Sequence, residues 1–186
     1  ENYPSEKVVN SFGVQDDFMY QYALPILNER AGTGNPFFSV LLSISNHPPY
    51  VIPPYFHPHS DVLEEQIVEY ADWSIRQFMQ AAEKQPWFDN TIFVFLGDHG
   101  KMVGTPECEM PQSYNHIPLM IYGKDIKPGV YDGFGGQVDV SPTLLGLLNI
   151  SYLQNNFGVN LLEEERPCMF FTADNLIGAR DSVNMF

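Results

Sequence analysis

The chain has 186 residues, 44% of them hydrophobic, and its 23 acidic and 9 basic side chains give a formal net charge of -14. This length and apolar content predict one core-bearing domain over residues 1–186. The few Lys and Arg residues argue against nucleic acid as a partner and disfavour binding to an anionic membrane surface. No apolar run approaches the roughly 18 residues of a membrane span. The sequence has two cysteines, Cys108 and Cys168, and does not decide whether they form a disulfide or stay as free thiols.

Two helices are predicted in the first half of the chain. Residues 16–30 have helical periodicity and a capping Asp at the start, and Pro25 is expected to kink this helix. Residues 61–84 form the clearest helix of the sequence. Asp61 and Glu64 resemble a capping box at its first turn.

Apolar, β-favouring runs that end at turn residues predict strands. These strands cover residues 36–45, 91–97, 117–122, 167–172 and 176–180. Ser141 followed by Pro142 predicts the start of another helix, as a cap with proline at the first helical position. The alternating order predicts an α/β fold with a mainly parallel, mixed sheet flanked by helices, and a small C-terminal β element at about 165–186.

Asp98 and His99 follow the 91–97 strand directly. Strand ends are where open α/β sheets place their chemistry, and a carboxylate with an imidazole suits a divalent metal such as Zn or Mn. Because successive strand residues point to opposite faces, the two can share a metal only if the chain turns, which Gly97 and Gly100 permit. The alternative is a helix cap with a surface imidazole.

Two further histidines border predicted strands. His47 lies just after the 36–45 strand, and His116 lies just before the 117–122 strand. If both face the cleft that holds the Asp-His pair, the 117–122 strand runs opposite to the others. The alternatives are a loop imidazole stacked on Tyr50 for His47, and a capping role for His116.

Four segments, in this order, carry a family resemblance: Ser43–Tyr50, Phe95–Gly100, Asn115–Gly123 and Gly135–Leu148. Together they resemble the sulfatase and phosphoglycerol-transferase branch of the alkaline phosphatase superfamily, which includes the lipoteichoic acid synthases and the periplasmic phosphoglycerol transferases of glucan modification. Residues 10–17 are similar to the family's W-G-x-x-D lead into a helix, with Phe12 in place of tryptophan. The resemblance covers residues 10–150, which would form the core of the domain.

The resemblance implies an alkaline phosphatase-like domain of which this chain is the C-terminal part. An upstream acidic metal ligand and the nucleophile would then lie outside it, as would the N-terminal part of the domain. It implies that Asp98 and His99 bind one divalent metal, Mn or Zn, with Mg or Ca as alternatives. His47 and His116 match positions at the substrate side, where a histidine binds a phosphate oxygen or protonates the leaving alkoxide and so acts in catalysis.

Three functions stay open at this point. The resemblance favours a metal-dependent transferase that moves phosphoglycerol, or a similar alcohol phosphate, through a covalent enzyme ester. A sulfatase or phosphodiesterase hydrolase on the same scaffold is the second, although the Cys-x-Pro-x-Arg signature of sulfatases is absent from the sequence. A non-catalytic scaffold is the third.

The resemblance also implies the setting of the parent protein. The substrate would be an anionic phosphate or sulfate ester, lipid-linked or carried on a glycan. The parent would lie at the cell membrane with an extracytoplasmic or periplasmic catalytic domain, and membrane contact would come only through N-terminal segments. The 186 residues alone are expected to be soluble, inactive and prone to self-association through exposed sheet edges and apolar faces.

Several other polar residues receive weaker assignments. His57 and His59 could bind adventitious metal, and Lys101 could meet a substrate anion, but solvated surface side chains are the commoner outcome. Asp139 and Asp72 are similar to recurrent family positions. They are expected to be structural, as a helix-start acceptor and a helix-face contact.

Overall fold

The protein is represented by a computed structural model that describes residues 3–101, 105, 115–173 and 175–186. They belong to two compact units, Glu1–Thr91 and Ile92–Phe186, and each unit is described by itself. Cys108 lies outside the described residues, so the question whether it pairs with Cys168 stays open.

The first unit is built around two packed helices: α1, Asp16–Gly32, and α2, Leu63–Ala82. Side chains three and four residues apart share a helix face, so one apolar stripe of each helix is buried against the other. The buried side chains include Met19, Ala23 and Leu27 of α1 and Ile67, Tyr70, Phe78 and Ala82 of α2. Both predicted helices are confirmed, and α1 continues through Pro25.

The start of α2 differs from the prediction. The capping box of Asp61 and Glu64 is wrong, because Val62 is the N-cap residue and no side chain caps it. Ser60 stabilises this end of the helix instead: its Oγ accepts a hydrogen bond from the Val62 N–H and donates one to the Glu65 carboxylate. The helix begins two residues later than expected, which moves Asp61 out of the capping position.

A tight hairpin precedes α1. Strands β1, Val8–Asn10, and β2, Gly13–Val14, pair antiparallel. The Asn10 side chain closes the turn by accepting hydrogen bonds from the backbone N–H groups of Phe12 and Gly13 at 2.9 and 3.3 Å. Gly13 has a φ of +147°, which only glycine adopts readily. The hairpin leaves the Phe12 side chain 52% exposed.

The strand predicted at 36–45 is not formed. This segment has no ladder partner among the described residues, and its apolar side chains face solvent: Phe38 is 85% exposed, Val40 71% and Leu42 70%. A single extended segment cannot satisfy its backbone groups by a sheet ladder without a neighbouring strand. The sequence pattern therefore reports a strand propensity that these residues do not realise.

A buried carboxylate connects the two helices of this unit. Asp17 Oδ1 accepts a hydrogen bond from the Tyr70 hydroxyl at 2.5 Å, and Asp17 Oδ2 accepts one from the Tyr55 hydroxyl at 2.8 Å. Burial, helped by the hydrogen bond to Asp17, raises the pKa of Tyr55 to about 12 and that of Tyr70 further still. Both hydroxyls therefore stay protonated as donors at neutral pH.

In the second unit, β3, Phe93–Leu96, pairs antiparallel with β4, Leu119–Tyr122, with Leu96 opposite Leu119. The predicted strands at 91–97 and 117–122 are confirmed, and so is the expectation that the second runs against the first. Among the β3 side chains Phe93 is buried and Leu96 is 42% exposed, in a ladder that has two strands within the described residues.

Helix α3 spans Gln137–Leu147. Its N-cap is Gly136 rather than the expected Ser141, so the helix begins five residues earlier than predicted and Pro142 lies inside it. Proline has no N–H, and the Val138 carbonyl therefore lacks its intrahelical partner. The chain comes back over this point at Gly158, where an added Cβ would lie only 2.0 Å from the Val138 oxygen. Only glycine fits this approach.

The unit ends in a hairpin of β5, Met169–Ala173, and β6, Leu176–Arg180, which confirms the predicted C-terminal β element. Within the described residues all strand pairs are antiparallel, so the parallel pairs expected from the sequence are not among them. The α/β class itself is confirmed. None of the described helices combines the length and apolar character that crossing a bilayer requires.

Candidate functional site

The Asp98 and His99 side chains converge at the end of β3. Asp98 Oδ2 lies 3.9 Å from His99 Nε2. Asp98 Oδ1 accepts a hydrogen bond from the His99 backbone N–H at 2.9 Å, which turns the chain directly after the strand. Both side chains are exposed.

The tautomer of His99 follows from its neighbours. Its Nδ1 lies 2.7 Å from the Gly100 carbonyl oxygen, which can only accept, so Nδ1 carries the proton. The lone pair is therefore on Nε2, the nitrogen that faces Asp98. Two donors that hold one ion at about 2.1 Å each lie at most about 4.2 Å apart, so the pair fits a shared Zn or a similar divalent cation.

These two donors do not form a complete metal site by themselves. Among the residues that the structure describes, no group of three or more His, Cys, Asp or Glu side chains could hold a metal ion. Further ligands would have to come from elsewhere. The pair offers one carboxylate oxygen and one imidazole nitrogen.

Gly97 begins the turn that carries the pair, although not for the expected reason. Its φ is an ordinary one, and glycine is favoured by a close neighbour: an added Cβ would lie 3.3 Å from Ile117 Cβ. The Gly97 N–H donates to the Pro118 carbonyl at 3.3 Å. His116 is two residues before Pro118, so the antiparallel ladder places it at the same end of β3 and β4 as the pair. The His116 side chain is exposed.

His47 belongs to the first unit, and its contacts are those within that unit. Its Nδ1 lies 2.7 Å from the Pro48 carbonyl oxygen, so this histidine also carries its proton on Nδ1 and has its lone pair on Nε2. Phe12 is an aromatic neighbour of His47: the two ring centroids are 4.1 Å apart and the planes are tilted by 44°.

The loop before His47 is fastened to the start of α1. Asp16 Oδ1 accepts hydrogen bonds from the backbone N–H groups of Ile44 and Ser45 at 2.9 and 3.0 Å. The Ser45 hydroxyl lies 3.2 Å from both the Asp16 N–H and Gln15 Oε1, accepting from the first and donating to the second. Asp16 is 2% exposed. Sequence reasoning listed the aspartate of the W-G-x-x-D-like segment without giving it this role.

Asp139 is structural, as expected. Its carboxylate accepts hydrogen bonds from the Gly136 N–H at the start of α3 and from the Val159 N–H, both at 2.8 Å. Arg166 adds a bidentate ion pair, with Nε 2.7 Å from Oδ2 and Nη2 2.6 Å from Oδ1. Burial would raise the pKa of Asp139, but these hydrogen bonds outweigh it and hold the pKa below its usual range.

The other polar residues named from the sequence are His57, His59, Asp72 and Lys101. His59 contacts Glu69, whose carboxylate also accepts the backbone N–H groups of His59 and Ser60, so this part of the loop is tied to α2. Asp72 pairs with Arg76 one turn along α2, an exposed contact on the helix face. His57 is exposed. A role for Lys101 toward a substrate anion stays a prediction.

Solved structures establish the class of fold. A protein of the alkaline phosphatase superfamily from Vibrio parahaemolyticus superimposes with a TM-score of 0.86 at 27% identity, over 99% of this chain and 46% of that one. The lipoteichoic acid synthase LtaP from Listeria monocytogenes superimposes with a TM-score of 0.73 at 24% identity, over 96% of this chain and 54% of that one. The chain therefore has the fold of part of an alkaline phosphatase superfamily domain.

The family follows from the sequence match. Residues 1–150 match the family model described as Sulfatase, and the chain belongs to the sulfatase family. Lipoteichoic acid synthase 2 of Bacillus subtilis (strain 168) is 25% identical over 209 aligned positions, which cover 95% of this chain. The chain spans about a third of the length of the curated relatives it matches, 30% in this case. The resemblance to the lipoteichoic acid synthase branch is confirmed.

Proposed function

We propose that this chain supplies the Asp98–His99 half of a divalent metal site in a phosphoglycerol-type transferase. The observation that carries the proposal is the 3.9 Å between Asp98 Oδ2 and His99 Nε2, with the His99 proton committed to a backbone carbonyl. The likeness to lipoteichoic acid synthases supports the transferase reaction. A metal bound there would neutralise phosphoryl oxygen charge and favour an ionised nucleophile.

The remaining roles fall to imidazoles. Because Nδ1 of His47 donates to Pro48, its Nε2 is the atom left to accept a proton or, when protonated, to donate to a phosphate oxygen. His47 would thus hold the substrate and assist the departure of the leaving alkoxide. His116, at the same end of the β3–β4 ladder as the metal pair, would be a second substrate-binding and catalytic group. The nucleophile that forms the enzyme ester would come from outside these 186 residues.

The charge of the chain makes cationic groups necessary for this reaction. With a formal net charge of -14, the protein would repel an anionic phosphodiester unless the field is reversed locally. A bound divalent ion and neighbouring imidazoles provide that reversal. Mn or Zn is the proposed ion. The donor is proposed to be lipid-linked, and the site extracytoplasmic, within one domain to which residues 1–186 contribute.

A hydrolase acting on a sulfate ester or a phosphodiester is the second candidate. It is favoured by the family model itself, which carries the sulfatase description. Product analysis separates the two: a transferase passes the alcohol phosphate to a second alcohol, whereas a hydrolase releases it to water.

The test uses the protein that carries this chain. Mn²⁺ binding is followed by the loss of its electron paramagnetic resonance signal, and turnover is measured on a phosphodiester of glycerol. We expect Asp98→Asn and His99→Gln each to abolish turnover and to weaken Mn²⁺ binding at least tenfold, since each removes a proposed ligand. Asp132→Asn, which changes an exposed carboxylate in the same unit, is the matched control and should leave both unchanged. Unchanged Mn²⁺ affinity in both site variants would refute the metal site.

A further inference from the structure

The side chain of Gln137, the first residue of α3, reaches the turn that follows β3. Its Nε2 lies 3.2 Å from the Gly97 carbonyl oxygen and 2.7 Å from the Asp98 carbonyl oxygen. Both neighbours can only accept, so the amide must present its nitrogen to them. The two N–H groups of the amide match the two carbonyls.

Three consecutive peptide groups of this turn are held as a result. The N–H of Gly97 donates to the Pro118 carbonyl. The Gly97 carbonyl accepts a hydrogen bond from the Gln137 amide. In the next peptide group, the Asp98 carbonyl accepts from Gln137 and the His99 N–H donates to the Asp98 carboxylate. The orientation of these peptides determines the direction in which the Asp98 and His99 side chains leave the backbone. Gln137 supplies two of the four hydrogen bonds.

The backbone at Gln137 is held by contacts at the start of α3. The residue before it, Gly136, donates its N–H to Asp139, and Asp139 is buried in the bidentate pair with Arg166. The start of α3 is therefore fixed independently of the turn, so the Gln137 amide can act as a fixed pair of donors toward it.

We propose that Gln137 is a positioning residue for the Asp98–His99 pair. It holds the carbonyls of the turn so that the carboxylate and the imidazole converge on one cation. This inference rests on the proposed metal site for its consequence, but the positioning itself is a property of the chain that can be measured without any metal.

The test compares wild-type chain with Gln137→Ala, Gln137→Glu and a control, Val138→Ala. Alanine removes both donors, and glutamate replaces them with a carboxylate that the two carbonyls repel. Val138 is the next residue of α3 and is 42% exposed, so its substitution controls for altering the start of the helix. Two quantities are measured: hydrogen exchange of the backbone amides at 98–100 without metal, and the apparent dissociation constant for Mn²⁺.

We expect both Gln137 variants to exchange amides 98–100 at least tenfold faster than wild type, and to bind Mn²⁺ about ten- to a hundredfold more weakly, the usual effect of losing an outer-shell partner. The metal-free melting temperature should stay within about 2 °C of wild type, because Gln137 is exposed and buries little surface. Val138→Ala should match wild type throughout.

The outcomes separate this inference from the proposed function. Unchanged exchange at 98–100 in Gln137→Ala would overturn the positioning role, whatever the metal data show. A lower melting temperature in that variant with unchanged Mn²⁺ affinity would also overturn it, because Gln137 would then only stabilise the fold. Faster exchange, in a chain whose wild type binds no Mn²⁺, would keep the positioning role and refute the metal site.

Discussion

The ring of Phe12 lies against the ring of His47, with centroids 4.1 Å apart, and so brings the hairpin before α1 onto the loop that carries the candidate substrate histidine. Phe12 is 52% exposed. An exposed aromatic ring that covers one face of an imidazole limits the rotation of that imidazole and leaves an apolar surface beside it. Phe12 occupies the position at which related sequences are expected to have tryptophan.

Replacing Phe12 tests this contact. If the proposed transferase activity holds, we expect Phe12→Ala to raise its KM several-fold with a smaller effect on kcat, because His47 loses its aromatic neighbour while keeping its hydrogen bond to Pro48. Phe12→Trp should retain the wild-type KM. In the chain alone, proton NMR of the His47 ring measures the contact directly. The upfield ring-current shift should disappear in the alanine variant, and its persistence there would contradict the contact between the two rings.

Asp16 offers a matched pair of substitutions. Both backbone N–H groups that it accepts, from Ile44 and Ser45, bind the same oxygen, Oδ1. Asp16→Asn can keep that oxygen and should cost about 1 kcal/mol or less, whereas Asp16→Ala leaves two donors unsatisfied and should cost about 2–4 kcal/mol. Urea unfolding followed by circular dichroism measures the difference. Equal losses in the two variants would show that the charge, rather than the acceptor, matters.

The sequence predicted the helices and the two ladders of the second unit because their signals are local. Residues 63–82 carry apolar side chains at helical spacing, and the strands of β3 and β4 are short apolar runs closed by turn residues. The prediction at 36–45 failed because a strand also requires a neighbour, which composition does not report. The start of α3 was misplaced because the Ser-Pro signal is only a preference, and the Asp139–Arg166 pair stabilises a helix start five residues earlier.

The residues of the candidate site were chosen on similarly local signals, and their roles stay predictions. Residue type and position at the ends of predicted strands can both be read from a sequence. These two criteria selected Asp98, His99, His47 and His116. Gln137 and Ser45 were missed, because an amide and a hydroxyl have no distinctive pattern until the fold shows which backbone groups they meet. The only sequence signal for Gln137 was its place in the G-G-Q-V-D motif at 135–139, which is part of the family resemblance.

The Asp139–Arg166 pair predicts an acid-sensitive second unit. The folded-state pKa of Asp139 lies below its ordinary value, so the stabilisation is complete above the unfolded-state pKa of about 4 and is lost as pH falls through the folded-state pKa. Thermal melts from pH 7 down to pH 2 should show this loss below about pH 4. Arg166→Met leaves the Asp139 charge buried without a partner and should cost about 3–5 kcal/mol at pH 7.

One result would contradict this prediction for the Asp139–Arg166 pair. If the Arg166→Met chain at pH 7 is as stable as wild type, the pair contributes nothing, and the hydrogen bonds from Gly136 and Val159 hold Asp139 alone. The double variant Asp139→Asn with Arg166→Met is the control. It should recover part of the loss, because no charge remains buried.

The exposed side chains of 36–45 predict self-association. Phe38, Val40 and Leu42 alternate along an extended segment and face solvent, which is the pattern of an unprotected sheet edge. We expect the 186-residue chain to elute as a dimer or larger species on size-exclusion chromatography at micromolar concentration. Val40→Lys should shift it toward the monomer. A strict monomer of the wild-type chain at all concentrations would contradict the expectation.

The fastening of residues 44 and 45 to the first turn of α1 has an evolutionary consequence. Because residues 44 and 45 are held at the first turn of α1, and α1 itself packs against α2, insertions and deletions in the stretch between α1 and residue 44, 33–43, would leave His47 where it is. Relatives are therefore free to vary in length across that stretch, whereas a lost acceptor at position 16 would have to be compensated at the loop itself.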